Sequence, residues 1–361
     1  MSTGRTRAVR LTRWGGPPVL TEVAPPVPTG EEVLIQVEAA GLCRSDLHVI
    51  DAGPDDLPYL VPFTLGHETA GRVVRRGPLA GGPGIGERVV VYGPWGCGSC
   101  ARCRAGAENY CDRRLALDVA RTGTGPGLGR DGGMADLLLV PSGRLLVPVG
   151  DLDAVQAAPL SDAGLTAYHS VNTVRHALGD GTAVVVLGVG GLGHLAVQIL
   201  RATTNAEVLA VDVREEALAL AHECGAHFGT LLRPDTAAVL RDRTGGVGAV
   251  AVLDFVGSRS SLDPAVAVLR PGGELAVVGS GGGELTVRKP GALPPGTRIS
   301  LPFWGTLPEL EAVVSLAREG VLRVEVERFP LSGALEALAR LRSGDVRGRA
   351  VLVPDQSDRN P

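Results

Sequence analysis

The apolar run Ala183–Leu187 (A-V-V-V-L) passes directly into Gly188-Val189-Gly190-Gly191-Leu192-Gly193, and that junction restricts the chain to few folds. Five consecutive apolar residues suit a strand covered on both faces, as in a parallel sheet. Gly188 and Gly190 allow a tight turn and close backbone approach, Gly191 continues the turn, and Gly193 lets a helix pack on the strand. A helix-like stretch runs on to Ala202, and the next strand, Val208–Val211, ends at Asp212, 24 residues after Gly188. A bare G-x-G-x-x-G is also met in ordinary glycine-rich turns. A strand before it, a helix after it and an acid closing the second strand make it a dinucleotide fingerprint. The helix N-terminus then offers free N–H groups to a pyrophosphate.

Asp212 bears on which dinucleotide fits. Its carboxylate can accept from the adenosine ribose hydroxyls but repels a 2′-phosphate, by roughly 4 kcal/mol at about 4 Å and an effective dielectric near 20. Arg214 lies two residues on and softens that preference, so the sequence favours NAD without excluding NADP.

Cys97, Cys100, Cys103 and Cys111 form a C-x2-C-x2-C-x7-C cluster with glycines between. Four thiolates this close can wrap one Zn²⁺ tetrahedrally and leave no open position, which makes such a site structural. Local disulfides are the alternative. No apolar run reaches the length of a membrane span and no signal-peptide core opens the chain, so the expected location is cytoplasmic, where thiols stay reduced.

The first half reads as short strands, Arg7–Arg13, Glu32–Ala39, Ala70–Arg75 and Glu87–Val91, cut by Pro/Gly turns, with little helical period; a compact antiparallel barrel is the expectation. Glu32–Ala39 alternates like a half-buried strand and leads into Gly41–His48, G-L-C-R-S-D-L-H. Gly66-His67-Glu68 follows the next apolar segment. A length of 361 residues suggests two domains, and later strands are expected at Val250–Asp254, Glu274–Val278 and Ile299–Trp304, the last closing the sheet. Net charge is −4, Lys289 is the only lysine, and no basic stripe interleaved with aromatics occurs, which leaves nucleic-acid binding without support.

Taken in order, G-L-C-R-S-D-L-H, G-H-E, the four-cysteine lobe, D-A-G-L-T-A-Y (162–168) and G-V-G-G-L-G resemble the zinc-dependent alcohol dehydrogenases of the medium-chain dehydrogenase/reductase superfamily. V-Y-G-P-W-G-C-G-S-C (91–100) and F-W-G-T (303–306) look like their bacterial NAD-dependent secondary-alcohol members. The resemblance implies an α/β chain: a GroES-like β-barrel catalytic domain over 1–163 with a zinc lobe near 95–112, a Rossmann NAD-binding domain over 164–299, and a return to the first domain over 300–361.

It also implies two zinc ions per chain. Cys43, His67 and Asp162 would ligate the catalytic one, in place of the two cysteines and one histidine of a Cys₂His alcohol dehydrogenase site. Asp in place of the second Cys keeps the ligand charge at −2 and changes softness. Glu68 reads either as an alternating ligand or as a charge behind the ligands. Asp46 would hold His67 in its ligating tautomer. Ser45 would take the alcohol proton and His48 pass it to solvent, with a surface-facing polar residue as the other reading of His48.

Arg44 and Arg349 match pyrophosphate-contacting positions, with solvated charge as the other reading, and Thr166 matches one packed near nicotinamide. Tyr59, Trp95, Leu117 and Trp304 match pocket-lining positions or else belong to the core, and Arg121 would add polarity at the entrance. The implied activity is reversible hydride transfer between a secondary or primary alcohol and NAD, in a homodimer or homotetramer joined through the edge supplied by Ile299–Phe303. An NADPH-preferring carbonyl reductase and a non-catalytic dinucleotide-binding relative are the alternatives.

Overall fold

In the computed structural model, residues 5–113 and 123–355 are described. They divide into two compact units, Met1–Leu165 with Trp304–Pro361, and Thr166–Phe303.

The first unit is built around the strand Val33–Gly41, which has three partners. Glu68–Arg76 pairs along its length, Leu137–Val140 pairs its first half, and Arg349–Val353 pairs its end at Ala40 and Gly41. The alternation of this segment predicts one wet face, but both faces are covered: only Gln36 is exposed, and Glu38 is drawn into ion pairs with Arg72 (3.2 Å) and Arg88 (2.6 Å). Charge pairing lets a polar residue sit on a covered face. The sheet continues through Arg88–Val91 and Leu146–Pro148 on one side and Val326–Pro330 on the other. A second sheet joins Thr6–Leu11 to Val19–Val23 and Phe63–Thr64, all antiparallel.

The expectation of little helix here fails at Arg44–Asp51, a two-turn helix starting directly after Cys43. Eight residues are too few for the 3.6 period to stand out, yet Leu47, Val49 and Ile50 give it a buried side.

The second unit is a six-stranded parallel sheet in the order Phe228–Leu231, Glu207–Asp212, Ala183–Leu187, Ala249–Asp254, Leu269–Val277, Arg298–Ser300. By chain sequence that is 3-2-1-4-5-6, the dinucleotide-binding order. The central strands Ala183–Leu187 and Ala249–Asp254 are buried at every residue, and the edges are not. Four helices, Gly193–Thr203, Glu215–Glu223, Thr236–Arg243 and Arg259–Val268, connect successive strands.

The closing strand is shorter than the expected Ile299–Trp304. Pairing stops at Ser300, Pro302 cannot donate to a ladder, and Trp304 belongs to the first unit. No helix among the described residues is long and apolar enough to cross a membrane.

Candidate metal centres and dinucleotide turn

Cys43 is the N-cap of the helix Arg44–Asp51, so strand end and helix start together fix its position. Asp46, fully buried in the first turn, accepts the Cys43 backbone N–H through Oδ2 at 2.8 Å. Its other oxygen lies 3.2 Å from His67 Nδ1, close but outside hydrogen-bond alignment. One carboxylate therefore anchors one ligand's backbone and faces the far side of another ligand's ring.

The opposite nitrogen, His67 Nε2, faces Asp162 Oδ2 at 3.5 Å. Cys43 Sγ, a His67 ring nitrogen and an Asp162 oxygen lie within 4.8 Å of one another. Gly66, at φ +97°, presents His67; a Cβ there would lie 2.6 Å from Met134 Cγ and 2.7 Å from its backbone nitrogen. Trp304 covers His67 edge-on at 5.9 Å, its indole N–H donating to the Ser161 carbonyl at 3.1 Å.

Behind the ligands, Glu68 is fully buried and forms a two-pronged pair with Arg349, one prong being Arg349 Nε to Oε2 at 3.0 Å. Glu68 Oε1 also accepts the Ala163 N–H at 3.0 Å, next to Asp162. Arg349 Nη2 reaches Asp162 Oδ2 at 3.5 Å. Glu68 thus stands as a buried charge whose two oxygens are engaged, and Arg349 is a buried partner, not a solvated charge.

Burial pushes the Glu68 carboxyl up to about 7 against the pull of Arg349. Burial alone would lower the pKa of His67, but Asp46 and the contacts with Asp162 and Cys43 outweigh it and hold the imidazole well above its usual range. A buried pocket with this surplus of acidic groups and a sulfur, nitrogen and oxygen donor triplet suits a divalent cation. Zn²⁺ takes these three ligand types and keeps its fourth position open when only three are supplied.

The four-cysteine lobe is closed by comparison. All four cysteines are free thiols and their sulfurs lie within 4.8 Å of one another, Cys97 to Cys103 at 3.9 Å and Cys100 to Cys111 at 4.0 Å. Those spacings approach the edge, about 3.8 Å, of a tetrahedron with roughly 2.3 Å Zn–S bonds. Backbone N–H groups of Cys97, Cys100 and Cys103 each donate to a neighbouring sulfur at 3.4 Å. Burial works against the Cys97 thiolate, yet the hydrogen bonds from Ser99 and Cys100 bring its pKa down to about 6. Disulfides are not what this arrangement forms.

In the second unit, Gly188 takes φ +84°, and a Cβ at Gly193 would stand 2.0 Å from the Gly188 carbonyl oxygen, so helix and turn meet only through glycine. No atom would contact a Cβ at Gly190 within 4 Å, and Gly191 is half-buried beside it. Asp212 accepts the Val189 N–H through Oδ2 at 2.7 Å and the Arg214 N–H through Oδ1 at 3.0 Å. Arg214 Nε lies 3.7 Å from the same carboxylate. Thr166 is buried in the helix Ala163–Val174.

Two domain models match the chain: the alcohol dehydrogenase GroES-like domain over residues 29–151 and the zinc-binding dehydrogenase domain over residues 191–319. An NAD-dependent alcohol dehydrogenase of Sulfurisphaera tokodaii is 36% identical, covering 96% of this chain and 100% of the relative. The chain belongs to the zinc-dependent alcohol dehydrogenase family. A D-arabinose 1-dehydrogenase (NADP⁺) of Saccharolobus solfataricus is 32% identical over 97% of this chain and 98% of its own length. The solved alcohol dehydrogenase of Aeropyrum pernix superposes with a TM-score of 0.89 at 35% identity, covering 96% of this chain and all of that one.

Within this member of the zinc-dependent alcohol dehydrogenases, other expected residues fall as follows. Ser45 Oγ is 3.7 Å from Cys43 Sγ and half-buried, while His48 and Arg44 are exposed on the same helix. Tyr59 is half-buried against Phe63 in an edge contact at 6.1 Å. Trp95 is buried, its indole N–H donating to the Tyr92 carbonyl at 2.9 Å. Leu117 and Arg121 lie outside the described residues. Gly41 opens the G-L-C motif with no role assigned to it, yet the site depends on it: a Cβ there would lie 1.9 Å from Glu68 Oε2. Its only sequence signal is its place in the G-L-C motif.

Proposed function

We propose that this chain oxidises a small-molecule secondary or primary alcohol reversibly to the ketone or aldehyde, passing hydride to NAD. The observation that carries the reading is the convergence of Cys43, His67 and Asp162. Three ligands leave a position for the substrate oxygen, where the four-cysteine set leaves none.

Zinc, when bound, supplies a Lewis acid that acidifies a hydroxyl or polarises a carbonyl, and NAD supplies the hydride acceptor. The chain's own residues do the rest. Asp46 fixes the Cys43 backbone and keeps a carboxylate against His67 Nδ1, so that Nε2 stays free to ligate. Ser45, beside Cys43, is placed to take the alcohol proton. His48, three residues along the same helix and open to water, is placed to carry it out. Trp304, Tyr59 and Trp95 form apolar surface for the substrate body, and Asp212 with the Gly188–Gly193 turn receives the dinucleotide.

A sugar or carbonyl substrate with NADP is the second reading, supported by the D-arabinose 1-dehydrogenase likeness and by Arg214 beside Asp212. We assign a cytoplasmic homo-oligomer, with the edge strand Arg298–Ser300 and the exposed side chains of Ile299, Leu301 and Phe303 as the joining surface. Light scattering checks the assembly.

A panel of secondary alcohols, primary alcohols, ketones and aldoses, each with NAD and NADP, tests the activity on protein verified to hold two zinc ions. Turnover of an alcohol or ketone with NAD well above NADP is expected. Fully zinc-loaded protein inert across the panel would sink the proposal, and aldose turnover with NADP would select the second reading.

A further inference from the structure

Asp162 stands between the 3-10 turn Ala158–Ser161 and the helix Ala163–Val174, with φ −130° and ψ −66°. That pair of angles lies outside both the helical and the extended regions. Such a backbone persists only where its surroundings hold it. Both peptide planes that meet at Asp162 are held. In the plane that follows it, the Ala163 N–H donates to Glu68 Oε1 at 3.0 Å. In the plane that precedes it, the Ser161 carbonyl accepts the Trp304 indole N–H at 3.1 Å. Peptide planes are stiff, so pinning two of them sets φ and ψ of the residue between.

Trp304 is built in with unusual care. It is the only non-glycine residue among those described with a positive φ, +52°. Its indole lies in a slot made by glycines: a Cβ at Gly93 would stand 2.2 Å from Trp304 Cζ2, and one at Gly125 3.6 Å from Cη2. The buried Tyr92 hydroxyl donates to the carbonyl of the next residue, Gly305, at 2.7 Å. The same indole meets the His67 ring edge-on, with the planes at 87°. One side chain therefore abuts one metal ligand and holds the peptide that enters another. A glycine slot, a left-handed backbone and a buried tyrosine bond are more than an apolar wall requires, and together they aim one N–H.

We propose that Trp304 is a positioning residue: its indole N–H fixes the peptide entering Asp162 and so sets how firmly the dispersed ligand set retains zinc. Without that bond the buried Ser161 carbonyl loses its indole donor and the plane is free to turn. The proposal rests on Cys43, His67 and Asp162 being zinc ligands, and it gives Trp304 a task that lining the substrate surface does not need.

Zinc affinity tests this without turnover. The full-length protein holding two zinc ions is titrated with a chelator of known zinc affinity, and Cys43→Ala, which should keep lobe zinc alone, shows which step belongs to the dispersed set. Trp304→Phe keeps an aromatic ring beside His67 but has no N–H, whereas Gly93→Ala keeps the N–H and fills the slot. Both should bind the dispersed-site zinc about tenfold more weakly, the size of one buried hydrogen bond. Lobe zinc should keep its wild-type affinity, which also verifies that the variants fold. Linkage demands the converse in protein with Trp304 intact. In Cys43→Ala the Trp304 indole N–H, followed by NMR, should be about tenfold less protected from deuterium exchange than in the wild type. The Trp95 indole, bonded to the Tyr92 carbonyl, should keep its protection. Wild-type zinc affinity in either variant, or unchanged Trp304 protection in Cys43→Ala, would overturn the proposal and leave the dehydrogenase reading standing. Wild-type protein that never takes a second zinc would overturn both.

Discussion

Cys97, Cys100, Cys103 and Cys111 come from one short loop, whereas Cys43, His67 and Asp162 come from a helix start, the residue before a strand and the end of a 3-10 turn. The loop set is sulfur throughout, and its neighbours are backbone N–H groups of its own segment. The dispersed set mixes three donor types and leans on side chains from elsewhere: Asp46, Glu68, Arg349 and Trp304. A local, uniform cage suits holding a loop that has no other core, since its neighbours are chiefly one another. A dispersed, incomplete cage needs the finished fold to exist, and what it leaves open is available for chemistry.

The largest expected effect separates the sets by activity. Cys43→Ala should lower alcohol oxidation by roughly three orders of magnitude or more, while elemental analysis still finds one zinc per chain. Retention of both zinc ions with normal turnover would break the division. Cys103→Ser should do the reverse, removing the other zinc and lowering Tm by about 5–10 °C, with kcat per folded molecule nearly kept. If Cys103→Ser abolished turnover in protein still folded by circular dichroism, the lobe would have a part in catalysis.

Asp46→Asn comes next, since it alters the support of two ligands at once. A loss of about 10–100-fold in zinc affinity or turnover is expected, with no change at the lobe. Chelation at different pH values sharpens the comparison further. Between the ordinary imidazole range and the raised pKa of His67, a proton competes for a ligand of the dispersed set, and the competition fades as pH rises. The lobe competes with protons as well: Cys97 gives up its proton near 6, but burial and the neighbouring thiols hold Cys103 well above the ordinary thiol range. Chelation should therefore become harder at both sites as pH rises, seen in turnover for the dispersed set and in Tm for the lobe; stripping that did not depend on pH would refute this. In the metal-free protein the raised pKa values of His67 and Glu68 act in one direction: both protonated forms favour the folded state, so their contribution to stability is lost as pH rises through those values.

Asymmetry between the sets also governs what the sequence discloses. The C-x2-C-x2-C-x7-C cluster and the G-V-G-G-L-G turn are read locally, because the residues that act together are neighbours in the chain. The parallel sheet was signalled by apolar strands alternating with helix-like stretches, whereas its strand order came only with the structure. Asp162 was reached through family likeness alone, as nothing in its spacing from Cys43 or His67 marks it. The pair Glu68–Arg349, 281 residues apart, is invisible to any periodicity, since only the meeting of Arg349–Val353 with the end of Val33–Gly41 brings it about. The helix Arg44–Asp51 was hidden by its length, and the end of the last strand by Pro302.

Glu68 occupies the space that any side chain at residue 41 would claim. Adding a single methyl there would evict an anion, strand Arg349 without its counter-ion and turn that cation onto Asp162. An uncharged, conservative-looking replacement would thereby act on the metal pocket as an electrostatic lesion. Substitutions at this glycine are better sorted with charge reversals than with the small packing defects their size suggests.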